Sequence, residues 1–250
     1  MIKVKIVDVQ GLILSETNYS DSSKILNILT EEYGLIGVLS KGCRNLKSKL
    51  RGASRKLLFG TVHMYYKERG LSTLIGIDVI HDYHTMWTNL EAMMYATFIL
   101  DITSQVVRQT ESKGILALAE ETLYKIEQGF NPAVMVNILE LKYLQYLGVS
   151  PMLDGCAICG KTTNIVSVSS SAGGMVCGDC YQQDGYFSQK AIQLLRMYYY
   201  VDIAKISKVE VSEQVNGEIN RFLEDYYERY TGVFLNRQKL LKNMAKIVKK

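Results

Sequence analysis

Polar and apolar residues alternate along much of the first 80 residues, which is the pattern of half-buried β-strands. The stretch "IKVKIVDV" has a period of two, and "LIGVLS" and the run from Val62 to Ile80 are rich in β-branched and aromatic residues. "SSKILNILT" suits either a strand or a helix, and we predict a strand because it lies between strands. Gly34 in "TEEYGLIG" and Gly70 in "YYKERGLSTLI" are typical of hairpin turns. About five short antiparallel strands in so short a stretch predict a small closed or partly open barrel.

After His84 the apolar residues take up helical spacing. The run "MWTNLEAMMYATFILDITSQVVRQ" predicts a helix of six turns, and "GILALAEETLYKIEQG" predicts a second one that ends near Gly129. Cap residues predict the starts of three more helices. They are Asn131, which is followed by Pro132 in a helix that ends at Gly148, then Ser188 and Ser212. A last basic helix, "RQKLLKNMAKIVKK", closes the chain.

These patterns predict an α+β protein with several domains. We expect a barrel domain over residues 1–80 and a helical domain in two parts, residues 81–151 and 188–250, with an insert at 152–187 between them. No run of 18 apolar residues occurs, so a membrane span is not expected. The start "MIKVKIVDVQG" lacks the apolar core of a signal peptide, which favours the cytoplasm.

The insert contains two Cys-x-x-Cys pairs that are 17 residues apart, Cys156 with Cys159 and Cys177 with Cys180. This spacing is typical of a four-cysteine zinc site, in which each pair forms a tight turn that presents two sulfurs to one ion. Gly160 and Gly178 follow the pairs and suit turns with positive φ. Four thiolates leave no open coordination position, so we expect one structural Zn²⁺.

Other uses of these cysteines remain open. Two disulfides would suit a secreted protein, a redox pair would need only one Cys-x-x-Cys, and the site could also be vestigial. The fifth cysteine, Cys43, is interpreted as an ordinary unpaired residue, although it lies among cations.

The positive charge of the chain is concentrated near its N-terminus. The net charge is +4, but the first 80 residues alone hold twelve Lys and Arg against seven Asp and Glu. Seven cations and no acid lie in the sixteen residues from Lys41 to Lys56, which we call the basic segment. Because these cations repel one another, we predict that the segment binds nucleic-acid phosphates rather than being merely solvated. The seven residues are Lys41, Arg44, Lys47, Lys49, Arg51, Arg55 and Lys56.

No arrangement of residues predicts catalysis. The deaminase pattern of His-x-Glu with Pro-Cys-x-x-Cys is absent, and no catalytic triad order or phosphate-binding glycine loop occurs. His81 and His84 are interpreted as polar residues at a strand end rather than as metal ligands. We therefore expect no enzyme activity. A metal-dependent enzyme of nucleic acid and a zinc-ribbon protein that only binds other proteins remain the alternatives.

A further pattern in residues 10–80 combines Tyr19, Asp21 and Ser23 with "TEEYG" and "KGCRNLKSKLRG". In this pattern, and in the order of the parts along the whole chain, the sequence resembles the RecO family of bacterial DNA repair and recombination mediators. This resemblance implies an OB-fold barrel that binds single- and double-stranded DNA through the basic segment. It further implies annealing of complementary strands and, together with RecR, loading of RecA onto strands covered by single-stranded-DNA-binding protein.

The resemblance also bears on the C-terminal half. It implies that the helical domain binds the acidic tail of single-stranded-DNA-binding protein, but "NPAVMVNILELKYLQYLG" has only Lys142 as a cation, so no residue is assigned to that role. "FLNRQKLL" resembles the basic pattern of the family and makes Arg237 and Lys239 secondary DNA-binding candidates, with a solvated tail as the equal alternative. A DNA partner would place the protein at the nucleoid.

Overall fold

The structure is a computed structural model that describes residues 5–111, 113–182 and 187–235. The chain divides into two compact units, the first ending at Glu127 and the second beginning at Gln128. The barrel and the first three helices lie in the first unit. The predicted helix "RQKLLKNMAKIVKK" lies outside the described residues.

Five strands form a closed barrel in the first unit, in the order β1-β2-β3-β5-β4. All neighbouring strands are antiparallel except β3 and β5, which pair in parallel through Val38–Ser72 and Leu39–Thr73. This topology confirms the OB-fold that the family resemblance implied. The strands are β1 (Lys5–Tyr19), β2 (Ser23–Thr30), β3 (Gly34–Ser40), β4 (Phe59–Tyr66) and β5 (Ser72–His81).

The barrel closes because β1 is long enough to pair with two neighbours. Its first half pairs with β4 and its second half with β2, and a bulge between Ile13 and Ser15 bends the strand where the partner changes. The alternating apolar residues point inward and form the core, which includes Ile13, Ile28 and Val62 at 0% exposure. Gly60 permits close approach of β4 to β5, since a Cβ at this position would lie 2.3 Å from the carbonyl oxygen of Asp78.

Three helices complete the first unit: α1 (His84–Thr88), α2 (Leu90–Val106) and α3 (Ile115–Glu127). The prediction of one six-turn helix from Met86 was wrong, because the chain is extended at Asn89 and starts a new helix there. The Asn89 side chain accepts a hydrogen bond from the N–H of Ala92 at 3.1 Å, which caps α2.

The second unit combines helices with a two-stranded hairpin. The predicted caps are confirmed: Asn131, Ser188 and Ser212 each accept a hydrogen bond from the first turn of their helix. Helix α4 is buried on nearly all sides from Val134 to Leu144, so it forms the centre of this unit. The elements are α4 (Pro132–Tyr146), β6 (Ile165–Ser169), β7 (Gly174–Cys177), α5 (Gln189–Tyr200), a 3-10 helix (Ile203–Lys205) and α6 (Glu213–Tyr230).

The predicted fold class is confirmed, with an OB-fold barrel, helices and a four-cysteine module in that arrangement along the chain. Among the described residues, no helix is both long and apolar enough to cross a membrane.

Candidate metal centre and candidate nucleic-acid interface

The first cysteine pair forms a tight turn before the hairpin. The N–H of Cys156 donates to the carbonyl of Lys161 at 2.8 Å, and the N–H of Gly160 donates back to the carbonyl of Cys156 at the same distance. Gly160 has φ +78°, so the expected positive φ is confirmed at this position. The turn places the Cys156 sulfur inside and leaves Cys159 exposed.

The second pair begins at the end of β7. The N–H of Cys180 donates to the carbonyl of Cys177 at 3.1 Å, and the N–H of Gly178 donates to the carbonyl of Asn164 at 3.0 Å. Gly178 does not have the positive φ that its position suggested. It is suited to glycine for another reason: a Cβ there would lie 2.7 Å from the side-chain nitrogen of Asn164.

The two turns bring all four cysteine sulfurs within 4.8 Å of one another. The sulfurs of Cys159 and Cys177 are 3.6 Å apart. A tetrahedral ion with metal–sulfur bonds of about 2.3 Å requires sulfurs separated by about 3.8 Å, so the cluster fits such an ion. These four cysteines could hold a metal ion, and no other group of three or more His, Cys, Asp or Glu in the described ranges does so.

The electrostatics of the cluster suit a cation. Hydrogen bonds from backbone N–H groups, that of Cys177 first, lower the pKa of Cys156 to about 6. Hydrogen bonding to the Cys159 sulfur, together with burial, raises the pKa of Cys180 to about 12. Close sulfurs therefore cannot all ionise unaided, whereas a divalent ion would hold four thiolates and release the remaining protons.

Polar contacts attach the cysteine module to α5 and α6. The side chain of Gln189 donates to the carbonyl of Ile165 at 3.1 Å, and the hydroxyl of Tyr230 donates to the carbonyl of Ser170 at 2.9 Å. An ion that orders the hairpin would therefore also stabilise the packing of these helices.

The basic segment connects β3 to β4 and is folded against the barrel. Cys43, within the segment, is 2% exposed, which agrees with its interpretation as an ordinary unpaired residue. The buried hydroxyls of Ser40 and Ser54 are 2.7 Å apart, and the N–H of Leu57 donates to the carbonyl of Ile13 at 3.0 Å. These contacts hold the cations on a defined surface.

The seven cations divide into two groups. Five are exposed and form no ion pair with a described acidic residue; they are Lys41, Arg44, Lys47, Lys49 and Arg51. Arg55 and Lys56 are half-buried and already have partners. Arg55 lies 3.5 Å from a carboxylate oxygen of Asp82, and the ammonium of Lys56 lies 3.5 Å from the hydroxyl of Thr97.

Two tyrosines and a histidine of the first unit differ in their surroundings. Tyr65 is exposed while Tyr66 packs on Tyr33 with ring centroids 4.2 Å apart, as expected for neighbours on a strand. His81 interacts with Glu120 at 2.7 Å, so it serves as a polar contact near the end of β5. Arg237 and Lys239 lie outside the described residues.

Trp87 is a residue that the sequence patterns did not single out. The Arg55 guanidinium lies 5.1 Å from the centroid of its ring, at the edge of the basic segment. The only signal in the sequence was that this is the sole tryptophan, located next to the polar pair Thr88 and Asn89.

The closed barrel, its unpaired cations and the sulfur cluster together define the class: an OB-fold protein with a C-terminal four-cysteine module. Sequence comparisons identify the protein family, within this class, that the chain matches. The family model described as "Recombination protein O N terminal" matches residues 3–83. The model described as "Recombination protein O C terminal" matches residues 88–239. The chain belongs to the RecO family, as the resemblance indicated.

Curated relatives carry the name DNA repair protein RecO. The relative from Listeria monocytogenes serotype 4b (strain CLIP80459) is 28% identical over 95% of this chain and 94% of its own length. That from Bacillus pumilus (strain SAFR-032) is 29% identical over 96% and 95%, and that from Bacillus velezensis (strain DSM 23117 / BGSC 10A6 / LMG 26770 / FZB42) is 30% identical over 94% and 93%.

Proposed function

We propose that this RecO-family protein is a DNA-binding mediator of repair and homologous recombination that acts without a catalytic step of its own. The observation that carries the proposal is the group of five exposed cations without acidic partners, held on the surface of an OB-fold barrel. OB-folds bind nucleic acids through a basic groove that follows the backbone, and each neutralised phosphate releases counterions. Single- and double-stranded DNA would both bind here, since both present phosphates.

The same charge arrangement supports strand annealing. Two complementary strands repel each other through their phosphates, and a surface that neutralises part of this charge lets them approach and pair. As the family resemblance implies, the protein would act with RecR to load RecA onto strands covered by single-stranded-DNA-binding protein. The second unit would bind the acidic tail of that protein. Because α4 is almost fully buried, the tail site would have to use surfaces other than this helix.

We further propose that the cysteine cluster holds one structural Zn²⁺. Four thiolates from Cys156, Cys159, Cys177 and Cys180 match the preference of zinc for a closed tetrahedral sulfur shell. The ion would stabilise the hairpin and its contacts with α5 and α6.

The DNA-binding proposal is tested by fluorescence anisotropy with a labelled single-stranded oligonucleotide across a salt series. The variant Arg44→Glu/Lys49→Glu removes two exposed cations whose side chains make few contacts with the rest of the protein. The Arg44 guanidinium donates a hydrogen bond to the carbonyl of Ser20 at 3.3 Å. Removing two phosphate contacts is expected to reduce the slope of log affinity against log salt by about 1.4. A control, Lys190→Glu/Lys205→Glu, makes the same change of net charge in the second unit and is expected to leave the slope unchanged.

The outcome also separates the proposal from its main alternative, a zinc-ribbon protein that binds only other proteins. That alternative predicts no binding at low salt, or a slope that both variants change equally. Unfolding of the Arg44/Lys49 variant would instead assign a structural role to these cations.

A further inference from the structure

Trp87 is 45% exposed, although tryptophan is the largest apolar side chain. Its backbone is firmly held. Tyr83 and Met86, which precede it in the turn before α1 and in α1 itself, are 2% and 1% exposed. The N–H of Thr85 donates to a carboxylate oxygen of Glu127 at 3.1 Å. The indole is therefore presented to solvent by an anchored turn of helix.

Arg55 lies against this indole. Its guanidinium is 5.1 Å from the ring centroid and 3.5 Å from Asp82, which fixes the guanidinium in place. Asp82 also compensates part of the charge of Arg55, so Arg55 is less available to phosphates than the five exposed cations. Its position links the indole directly to the basic segment.

An exposed aromatic ring with a cation on it, contributed by a basic segment, is the combination that binds unpaired nucleobases. The cations pair with the phosphates and the ring stacks on a base. In a duplex the bases are already stacked on one another, so no base face is available for such a ring to stack on. We propose that Trp87 is a stacking platform for a base of single-stranded DNA, oriented by Arg55, and that it gives the protein a preference for unpaired strands. This inference rests on the proposed function.

Tyr65 provides a matched comparison within the same unit. It is 44% exposed, but its strand β4 presents a different surface, where His63 lies between the carboxylates of Asp8 and Asp78 at 2.7 and 3.0 Å. Those carboxylates repel phosphates. An equally exposed aromatic ring in this setting should not bind DNA.

The chain has one tryptophan, so its fluorescence reports this position alone when excited where tyrosine does not absorb. Addition of a single-stranded oligonucleotide to the native protein should quench this fluorescence and shield it from acrylamide, and a duplex should do so far less. Trp87→Ala should weaken single-strand affinity by roughly 5- to 100-fold and duplex affinity by less than about twofold. Trp87→Phe, which keeps a ring, should retain most of the affinity, and Tyr65→Ala should have no effect.

The possible failures are distinguishable. If anisotropy shows DNA binding while tryptophan fluorescence and acrylamide access stay constant, the inference is wrong and the proposed function stands. If no oligonucleotide binds the native protein at low salt, both are overturned. If Trp87→Ala does not fold, as judged by circular dichroism, the quenching of the native protein by single-stranded DNA and its protection from acrylamide still decide. Quenching by another protein but not by DNA would make Trp87 an anchor for a protein partner and contradict the inference.

Discussion

Serine in place of Cys177 tests the metal centre at its most buried sulfur. Cys177 is 0% exposed, and its sulfur lies 3.6 Å from that of Cys159. Structural Zn²⁺ sites bind with roughly 10–16 kcal/mol, which four similar thiolates share, so the loss of one should cost about 2.5–4 kcal/mol. This corresponds to a fall of roughly 100- to 1,000-fold in zinc affinity. At a fixed free zinc concentration, this weaker binding lowers the free energy of unfolding by about 3 kcal/mol, which should lower the melting temperature by roughly 10–15 °C.

The assay combines zinc content with thermal unfolding. After dialysis against a chelator, we expect about one zinc per native chain and far less in Cys177→Ser, with a lower melting temperature for the second unit. Oligonucleotide affinity should change by less than about twofold, because the basic segment belongs to the first unit. Unchanged zinc content and unchanged melting temperature in Cys177→Ser would refute the structural-zinc reasoning.

Cys43→Ser is the matched control for this experiment. Cys43 is 2% exposed, so the same sulfur-to-oxygen change is made at an equally buried site outside the cluster. Any cost of burying a hydroxyl appears in both variants, whereas the loss of zinc should appear only in Cys177→Ser. If Cys43→Ser also lost zinc, the effect would come from general destabilisation and not from ligand removal.

Two further predictions concern the barrel. Gly60→Ala should lower the free energy of unfolding by about 1–3 kcal/mol in urea titrations, because its Cβ would collide with the Asp78 carbonyl, whereas Gly52→Ala, in open space, should change it by less than about 0.5 kcal/mol. Hydrogen bonds to Asp8 and then Asp78 raise the pKa of His63 in the folded protein. The charged imidazolium should therefore stabilise the folded barrel fully below a pH of about 6.5, and this stabilisation should be lost as pH rises through the raised pKa. An NMR titration should show this raised pKa, and Asp8→Asn should lower it; a His63 pKa that Asp8→Asn leaves unchanged would contradict the assignment.

Local signals in the sequence were sufficient for most of the fold. Asn131 with Pro132 and Ser188 predicted helix starts correctly because N-caps depend on a few neighbouring residues. The break at Asn89 was missed because apolar spacing continues across it, although Asn89 followed by an acidic first turn is itself a cap signal. Hydrophobic period alone does not reveal where one helix ends and another begins.

Contacts between residues distant in sequence could be predicted only where a single ligand dictates the spacing of the residues that bind it. The four cysteines were assigned as a set because a single ion dictates their spacing, and the sulfurs do converge. The basic segment, in contrast, was treated as seven equivalent cations. Five of these cations form no ion pair with a described acidic residue, and two contact other side chains. This division depends on Asp82, Trp87 and Thr97, which the barrel and helices bring to the segment. Gly178 is similar, since its need for a small residue comes from Asn164.

The distribution of charge and metal ligands separates two roles within the chain. The five exposed cations of the basic segment lie in the first unit, while every sulfur of the candidate metal centre lies in the second. A closed four-sulfur shell has no position for substrate, so the ion would contribute structure and not chemistry. Cations without partners contribute little to stability, and their mutual repulsion opposes folding unless a polyanion binds. Retention of such a costly surface on a folded segment is better explained by a DNA ligand than by the stability of the barrel, and this argument favours the mediator proposal over a module that binds only proteins.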